Sequence, residues 1–225
     1  MTPLVPFRKM GTLALSLLTI FGLTSQSRAD TLATLFGSDN RNNIGGMVFF
    51  DLDVFSPGGI TIHSINVNAG QEFTVGSITG SSISSDVYIR TGTYSGNTLS
   101  SAGWTLVSSG TGTAAARNSP SFIDLSDFSL ASGITGVAIR NNNYSAQYTN
   151  GSNTYSDANL QLTTGAATNA LFSPATNQPR TWNGTINYST ALTPEAPGGV
   201  VFLAALLPLG LLALKNHRKK AALAS

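Results

Sequence analysis

The stretch MVFFDLDVF, residues 47–55, opens with four consecutive apolar residues and then alternates between apolar and acidic residues. Successive side chains of a β-strand point to opposite faces, so this pattern predicts a strand that begins buried on both faces and ends with one face in solvent. Pro57, Gly58 and Gly59 then form a turn. The β-branched segment 60–67 that follows predicts a second strand.

The same kind of short strand recurs along the chain. Further strands are predicted at residues 72–78, 86–90, 104–107, 122–125, 136–140, 147–149, 160–163 and 182–189. Residues 81–85 are predicted to be a polar loop, and Asp124 with Asp127 a turn or the start of a one-turn helix. Before the C-terminal segment no window shows the 3.6-residue apolar period of a helix. The sequence therefore predicts an all-β fold, a single antiparallel β-sandwich or jelly-roll-like domain over residues 30–192.

The N-terminus has the three parts of a signal peptide. Arg8 and Lys9 supply the positive charge, residues 10–23 form an apolar segment, and Ser27-Arg28-Ala29 places small residues before a cleavage site. We predict a signal peptide at residues 1–29, cut after Ala29. An uncleaved N-terminal anchor is the alternative.

The C-terminal residues 193–225 also have three parts. Pro194, Glu195 and Pro197 lie in a short motif at 194–199, an uncharged apolar segment follows at 198–214, and a basic cluster occupies 215–220. A helix over residues 198–214 predicts a transmembrane segment, with the basic cluster holding its C-terminal end in the cytoplasm. The two ends together predict export, with residues 30–192 outside the cytoplasm.

Residues 193–220 resemble the PEP-CTERM sorting signal of Gram-negative bacteria, although Ala196 interrupts the usual Pro-Glu-Pro. The resemblance implies recognition by an exosortase-like protease-transpeptidase, transient residence in the inner membrane, and delivery to the cell surface or extracellular matrix, where the partner is extracellular polysaccharide. The domain over residues 45–188 resembles one found in PEP-CTERM proteins without an assigned function. The segments that carry this likeness are 49–52, 87–88 with 92–96, 103–107, 148–151, 155–160 and 179–186.

Charge and cysteine content exclude several classes of protein. Residues 30–193 contain five arginines, no lysine and nine carboxylates, a net charge of −4. A nucleic-acid partner requires a basic surface, so none is expected. The absence of cysteine removes disulfides and thiolate chemistry.

Catalysis has weak support in the sequence, and no catalytic residue is assigned. His63 is the one histidine of residues 30–193, so a Ser-His-Asp arrangement is possible only through it, and its position in a strand favours a structural role. Asp51 and Asp53 share one face of a strand at about 7 Å, which an inverting glycoside hydrolase could use. A glycosidase is therefore the enzymatic alternative.

The stretch 39–46 concentrates oxygen-bearing side chains before a glycine turn. Asp39, Asn40, Asn42 and Asn43 could bind calcium, although the spacing and the closing glutamate of an EF-hand loop are missing. The alternative is an asparagine-rich turn whose side chains bond to their own backbone. No other cofactor is expected.

Aromatic residues near the asparagine-rich loops suggest sugar binding. Tyr144, Tyr148 and Tyr155 could stack on pyranose rings while Asn and Asp side chains bind the hydroxyls, as in a carbohydrate-binding module. Trp104 and Trp182 are predicted to be core residues instead. The sequence thus predicts an exported structural or adhesive protein of the exopolysaccharide layer, with a carbohydrate-binding module as its more specific form.

Overall fold

The computed structural model describes residues 28–71, 77–174 and 177–190, and every regular element within them is a β-strand. The strands are β1 (Arg28–Ala33), β2 (Asn40–Arg41), β3 (Met47–Val54), β4 (Ile60–Val67), β5 (Ala69–Gly70), β6 (Ser82–Thr91), β7 (Thr105–Thr113), β8 (Ser121–Leu130), β9 (Gly133–Asn141), β10 (Ser145–Asn150), β11 (Thr154–Ser156), β12 (Leu160–Thr168), β13 (Asn177–Thr181) and β14 (Gly184–Thr190). The all-β prediction is confirmed.

These strands form one continuous antiparallel sheet. Its order is β1-β14-β4-β8-β7-β6-β9-β3-β12-β13-β10-β2, with β11 beside β12 and β5 beside β10. The sheet curls, so that the inner faces of β3, β4, β8, β9 and β14 contribute to one hydrophobic core. Strands that are distant in the sheet order therefore touch through their side chains.

Strand β3 has the burial that its sequence predicts. Val48 and Phe50 point into the main core, while Met47 and Phe49 pack on the opposite face in a second cluster with Trp104. Farther along the strand, Asp51 and Asp53 are only half-buried on that second face. The prediction of a strand that starts buried on both faces is thus confirmed.

Two local predictions were wrong. Residues 82–85 belong to β6 rather than to a loop, because the buried Ile83 and Ser85 alternate with the exposed Ser82 and the half-buried Ser84. Asp124 and Asp127 lie in β8 rather than in a turn or helix. Both are exposed although three positions apart, because the register of β8 shifts against β4 between Asp124 and Phe128.

Several earlier predictions fall on residues outside the described ranges. These are the signal peptide up to residue 27, most of the strand at 72–78, and the sorting segment 193–225 with Pro194, Glu195 and Pro197. Strand β1 begins at Arg28, so a cut after Ala29 would leave the last four of its six residues. In the described ranges no helix has the length and apolar character needed to cross a membrane.

Candidate functional site

His63 lies between a serine and an aspartate on the outer face of the sheet. Its Nε2 is 2.8 Å from Oγ of Ser189, and its Nδ1 is 2.9 Å from Oδ2 of Asp127. The three residues come from β4, β14 and β8, which are neighbours in the sheet. We call Ser189, His63 and Asp127 the hydroxyl-imidazole-carboxylate chain.

Irregular strand pairing brings these side chains together. Strand β4 shifts register at His63 against both neighbours, between Ile62 and Ser64 on the β8 side and between Asn187 and Tyr188 on the β14 side. A bulge redirects a side chain and often occurs beside a functional site. The bulge therefore accounts for the reach of one imidazole to partners on two different strands.

The two ring nitrogens of His63 have different roles in this arrangement. The carboxylate of Asp127 favours the imidazole tautomer that carries its proton on Nδ1, which leaves Nε2 free to accept the hydroxyl proton of Ser189. The side chains of His63 and Asp127 are 41% and 61% exposed, so small molecules in solution can reach them. Sequence reasoning found His63 but could not find its partners, because they are 64 and 126 residues away along the chain.

A polar groove of about 390 Å³ lies on strands β6, β7 and β8. Its lining includes four hydroxyl side chains, two carboxylates and one amide: Ser84, Ser109, Thr111, Ser126, Asp86, Asp124 and Asn142. We call it the β6–β8 groove. The sequence analysis did not predict this groove, because serine and threonine residues in a strand do not indicate by their pattern that they will form a concave surface together.

Hydrogen bonds order part of the β6–β8 groove. Asp86 accepts a hydrogen bond of 2.7 Å from the Ser109 hydroxyl and lies 3.8 Å from the Arg140 guanidinium. The Oδ1 atom of Asn142 is buried without a hydrogen-bond partner. Asp124 is exposed. The groove therefore presents acceptors for ligand hydroxyl groups, with one carboxylate already held in place.

Tyr144 and Tyr148 are not exposed in loops, so the prediction that they stack on sugar rings was wrong. Each is 1% exposed. Tyr144 shares a hydrogen bond of 2.7 Å with Ser85, and burial raises its pKa above the ordinary range. The Tyr148 hydroxyl donates to the Arg41 carbonyl at 2.7 Å. Both rings can lie in the core because each hydroxyl has a hydrogen-bond partner, the Ser85 hydroxyl for Tyr144 and the Arg41 carbonyl for Tyr148.

The remaining aromatic predictions concern Tyr155, Trp104 and Trp182. Tyr155 is half-buried on β11 and packs against the main core, so only part of its ring could meet a ligand. Trp104 and Trp182 are buried, which confirms their prediction as core residues. Trp104 contacts Phe49 edge to face in the second cluster.

Asp51 and Asp53 share the half-buried face of β3, as predicted. Both oxygens of Asp51 are engaged, because Oδ2 accepts from the Thr93 hydroxyl at 2.6 Å and Oδ1 accepts from the Tyr94 amide at 2.8 Å. These bonds fasten the loop after β6 to β3. A glycosidase carboxylate must be available to the sugar or to water, so this arrangement favours a structural role for Asp51.

Three of the four candidate calcium ligands already use a side-chain oxygen as a hydrogen-bond acceptor. Asp39 Oδ1 accepts from the Asn150 amide at 2.8 Å, and Asn40 Oδ1 accepts from the Arg41 amide at 2.8 Å. Asn42 is buried, and its Oδ1 accepts from the Ala146 amide at 2.9 Å. The described residues contain no group of three or more His, Asp or Glu side chains that could hold a metal.

Asn43 contributes its backbone carbonyl, which accepts from the Asn141 side chain at 2.9 Å. The segment therefore resembles the alternative expectation of an asparagine-rich turn with bonded side chains. Its hydrogen bonds reach β10 and Asn141 as well as its own backbone.

No family model matches the chain, and comparison with the curated proteins and with the solved structures found no match either.

Proposed function

We propose that this chain is an exported protein, sorted by an exosortase-like system to the cell surface or extracellular matrix, where it binds extracellular polysaccharide as a structural or adhesive component. The support for export is the layout of the two ends of the sequence. The support for polysaccharide binding is the β6–β8 groove on the outer face of the sheet. This role needs no catalytic step.

The β6–β8 groove is the observation that carries the binding proposal. A volume of about 390 Å³ falls in the usual range for ligand sites, and its hydroxyl, amide and carboxylate groups match the hydroxyl groups of a sugar. The groove is open, so a polymer could lie along it without an end entering a closed cavity. Its two carboxylates, Asp86 and Asp124, favour a neutral polysaccharide over an acidic one.

We further infer that the curled sheet is organised as a two-layer sandwich. The main core contains Phe50 and Leu52 of β3 together with Ile62 and Ile65 of β4, although several strands separate β3 from β4 in the sheet order. Two packed layers leave the outer face of β6, β7 and β8 free for a ligand.

The glycosidase alternative receives less support. Asp51 is bound through both oxygens to Thr93 and Tyr94. Release of reducing sugar that disappears in Asp51→Asn, with unchanged folding, would revive it.

A binding measurement tests the proposed groove. Matrix polysaccharide from the producing cells is titrated by calorimetry into the wild-type domain, into Asp124→Ala and into the control Asp53→Ala, a carboxylate outside the groove. Loss of a charged hydrogen bond predicts roughly tenfold weaker binding for Asp124→Ala and unchanged binding for the control. Equal affinity for all three proteins would remove the groove from the proposal.

A second measurement tests sorting. The protein from cells and from medium is analysed by intact mass, as wild type, as Glu195→Ala and as Glu72→Ala, the only other glutamate of the sequence. Sorting predicts a wild-type chain ending near Pro194, an unprocessed Glu195→Ala and a normal Glu72→Ala. If all three keep residues through Ser225 in the membrane fraction, the segment is a simple anchor.

A further inference from the structure

We propose that Ser189 is an activated nucleophile that reacts with small O-acyl esters, with His63 as its general base and Asp127 as the positioning residue. This inference does not depend on polysaccharide binding in the β6–β8 groove. It rests on the hydroxyl-imidazole-carboxylate chain, in which both contacts of His63 have hydrogen-bond lengths, 2.8 Å to Ser189 and 2.9 Å to Asp127.

The order of groups is the one that nucleophilic catalysis requires. A serine hydroxyl is a weak nucleophile until an adjacent base takes its proton, and a third group must hold that base in the correct tautomer. Here the serine contacts Nε2 and the aspartate contacts Nδ1, so each ring nitrogen has a different partner of the required kind.

The backbone holds the serine firmly. Ser189 pairs with Thr61 of β4, and the preceding Tyr188 pairs with Asp30 of β1, which a cut after Ala29 would keep. The main chain of Ser189 is therefore held within the sheet, and its side chain is half-buried. A nucleophile on a rigid strand keeps its geometry relative to the base.

The proposed reaction is an acyl transfer. Ser189 Oγ attacks the ester carbonyl carbon while its proton passes to His63 Nε2, and the C–O bond to the alcohol breaks as that proton moves to the departing alcohol oxygen. Water then attacks the acyl-serine, giving a proton to His63, and the carboxylic acid leaves as the proton returns to Ser189 Oγ.

Strand β14 forms backbone ladders with β1 and β4 on its two sides. Among the described contacts of β14, no cluster of backbone amides is arranged to bind the oxyanion of the reaction. Turnover is therefore expected to be slow, and the acylation step is the one to measure.

A fluorophosphonate probe measures that step directly. The Ser189 Oγ–P bond forms, the P–F bond breaks, the serine proton passes to His63 and fluoride leaves. The full-length protein is labelled, digested, and analysed by mass spectrometry for the rate at each serine. Ser129 is the internal control, because it is exposed and its hydroxyl contacts Thr61 at 3.1 Å rather than a histidine.

The expected result is labelling at Ser189 that is about 100-fold faster than at Ser129, the size typical of general-base assistance. His63→Gln should reduce the Ser189 rate to that of Ser129. Asp127→Asn should reduce it at least tenfold with an unchanged melting temperature, because this side chain is largely exposed. Asp53→Asn, which removes a half-buried carboxylate on β3 away from this chain and from the β6–β8 groove, should leave the rate unchanged.

Two results would overturn the proposal. One is a wild-type Ser189 that reacts no faster than Ser129. The other is a Ser189 rate that is unchanged in both His63→Gln and Asp127→Asn. Either result would show that the hydroxyl-imidazole-carboxylate chain only links β8, β4 and β14 by hydrogen bonds.

Discussion

The indole ring of Trp182 stacks on the ring of Phe50, with centroids 5.1 Å apart and planes inclined by 20°. Phe50 lies on β3, whereas Trp182 lies between β13 and β14. The pair joins two segments that lie far apart along the chain, and both rings are buried in the main core.

Trp182→Ala is expected to lower the free energy of unfolding by about 3–5 kcal/mol, because it removes a large buried ring and leaves a cavity. Urea unfolding followed by circular dichroism measures the change. Phe55→Ala is the control, since this ring is 45% exposed and should cost much less. Equal losses in the two variants would contradict the central position of Trp182.

Asn42→Ala should destabilise the domain through lost hydrogen bonds. The Asn42 amide donates to Asn141 Oδ1 at 3.1 Å, and its oxygen accepts from the Ala146 amide. Removing it leaves buried polar groups without partners, at about 1–3 kcal/mol for each group. The less buried Asn40→Ala is the matched control and should cost less than about 1 kcal/mol. A smaller effect for Asn42→Ala than for Asn40→Ala in urea unfolding would show that Asn42 is not the centre of this network.

Gly165→Ala is expected to be strongly destabilising for a steric reason. A Cβ at this position would overlap the main-chain carbonyl of Phe49, where β12 shifts register against β3. Backbone cannot yield as a flexible side chain can, so the melting temperature should fall by several degrees at least. Gly37→Ala has open space around its Cβ and should melt close to the wild type. Similar melting of the two variants would argue against the close approach of β12 and β3.

Tyr144 should make stability fall at alkaline pH. Burial is the main cause of its raised pKa, so the folded protein retains a phenol proton that the unfolded chain loses above about pH 10. Its stabilising contribution is complete below that pH and is lost as the pH rises, by about 1.4 kcal/mol per pH unit. Urea unfolding at several pH values should show a shallower alkaline loss for Tyr144→Phe.

Ser85→Ala is the control for this pH dependence. It removes the hydrogen-bond partner of Tyr144 but keeps the buried phenol. The alkaline slope should therefore persist in Ser85→Ala. An identical slope in wild type and Tyr144→Phe would show that this phenol does not contribute.

The strands that were predicted well are those in which apolar residues form the alternating pattern of buried and exposed side chains. β3 and β4 have the expected faces because their valines, isoleucines and phenylalanines alternate clearly. The first part of β6 was missed because its serines resemble a loop, although Ser85 is buried against Tyr144. The burial of Asn42 and Asn141 was equally hard to predict, since their side chains are hydrogen-bonded to each other across 99 positions of the sequence.

The candidate sites were harder to predict than the strands. His63 was identified as the one histidine that could take part in a serine-histidine-aspartate arrangement, but its partners depend on strand order and on a bulge. The sugar-binding expectation fell on Tyr144 and Tyr148 because asparagine-rich sequence suggested exposed loops. Local sequence does not show whether an asparagine faces solvent or bonds to a buried backbone group.

Strand β14 ends at Thr190 and lies between β1 and β4 along its length. A mechanical load applied from the C-terminal side would therefore enter the domain through a strand that is hydrogen-bonded on both edges. Pulling it out requires two ladders to break together, with seven residue pairs to β4 and, after a cut behind Ala29, four to β1. The domain is consequently built to resist traction at the end where an anchor or a covalent attachment would hold it.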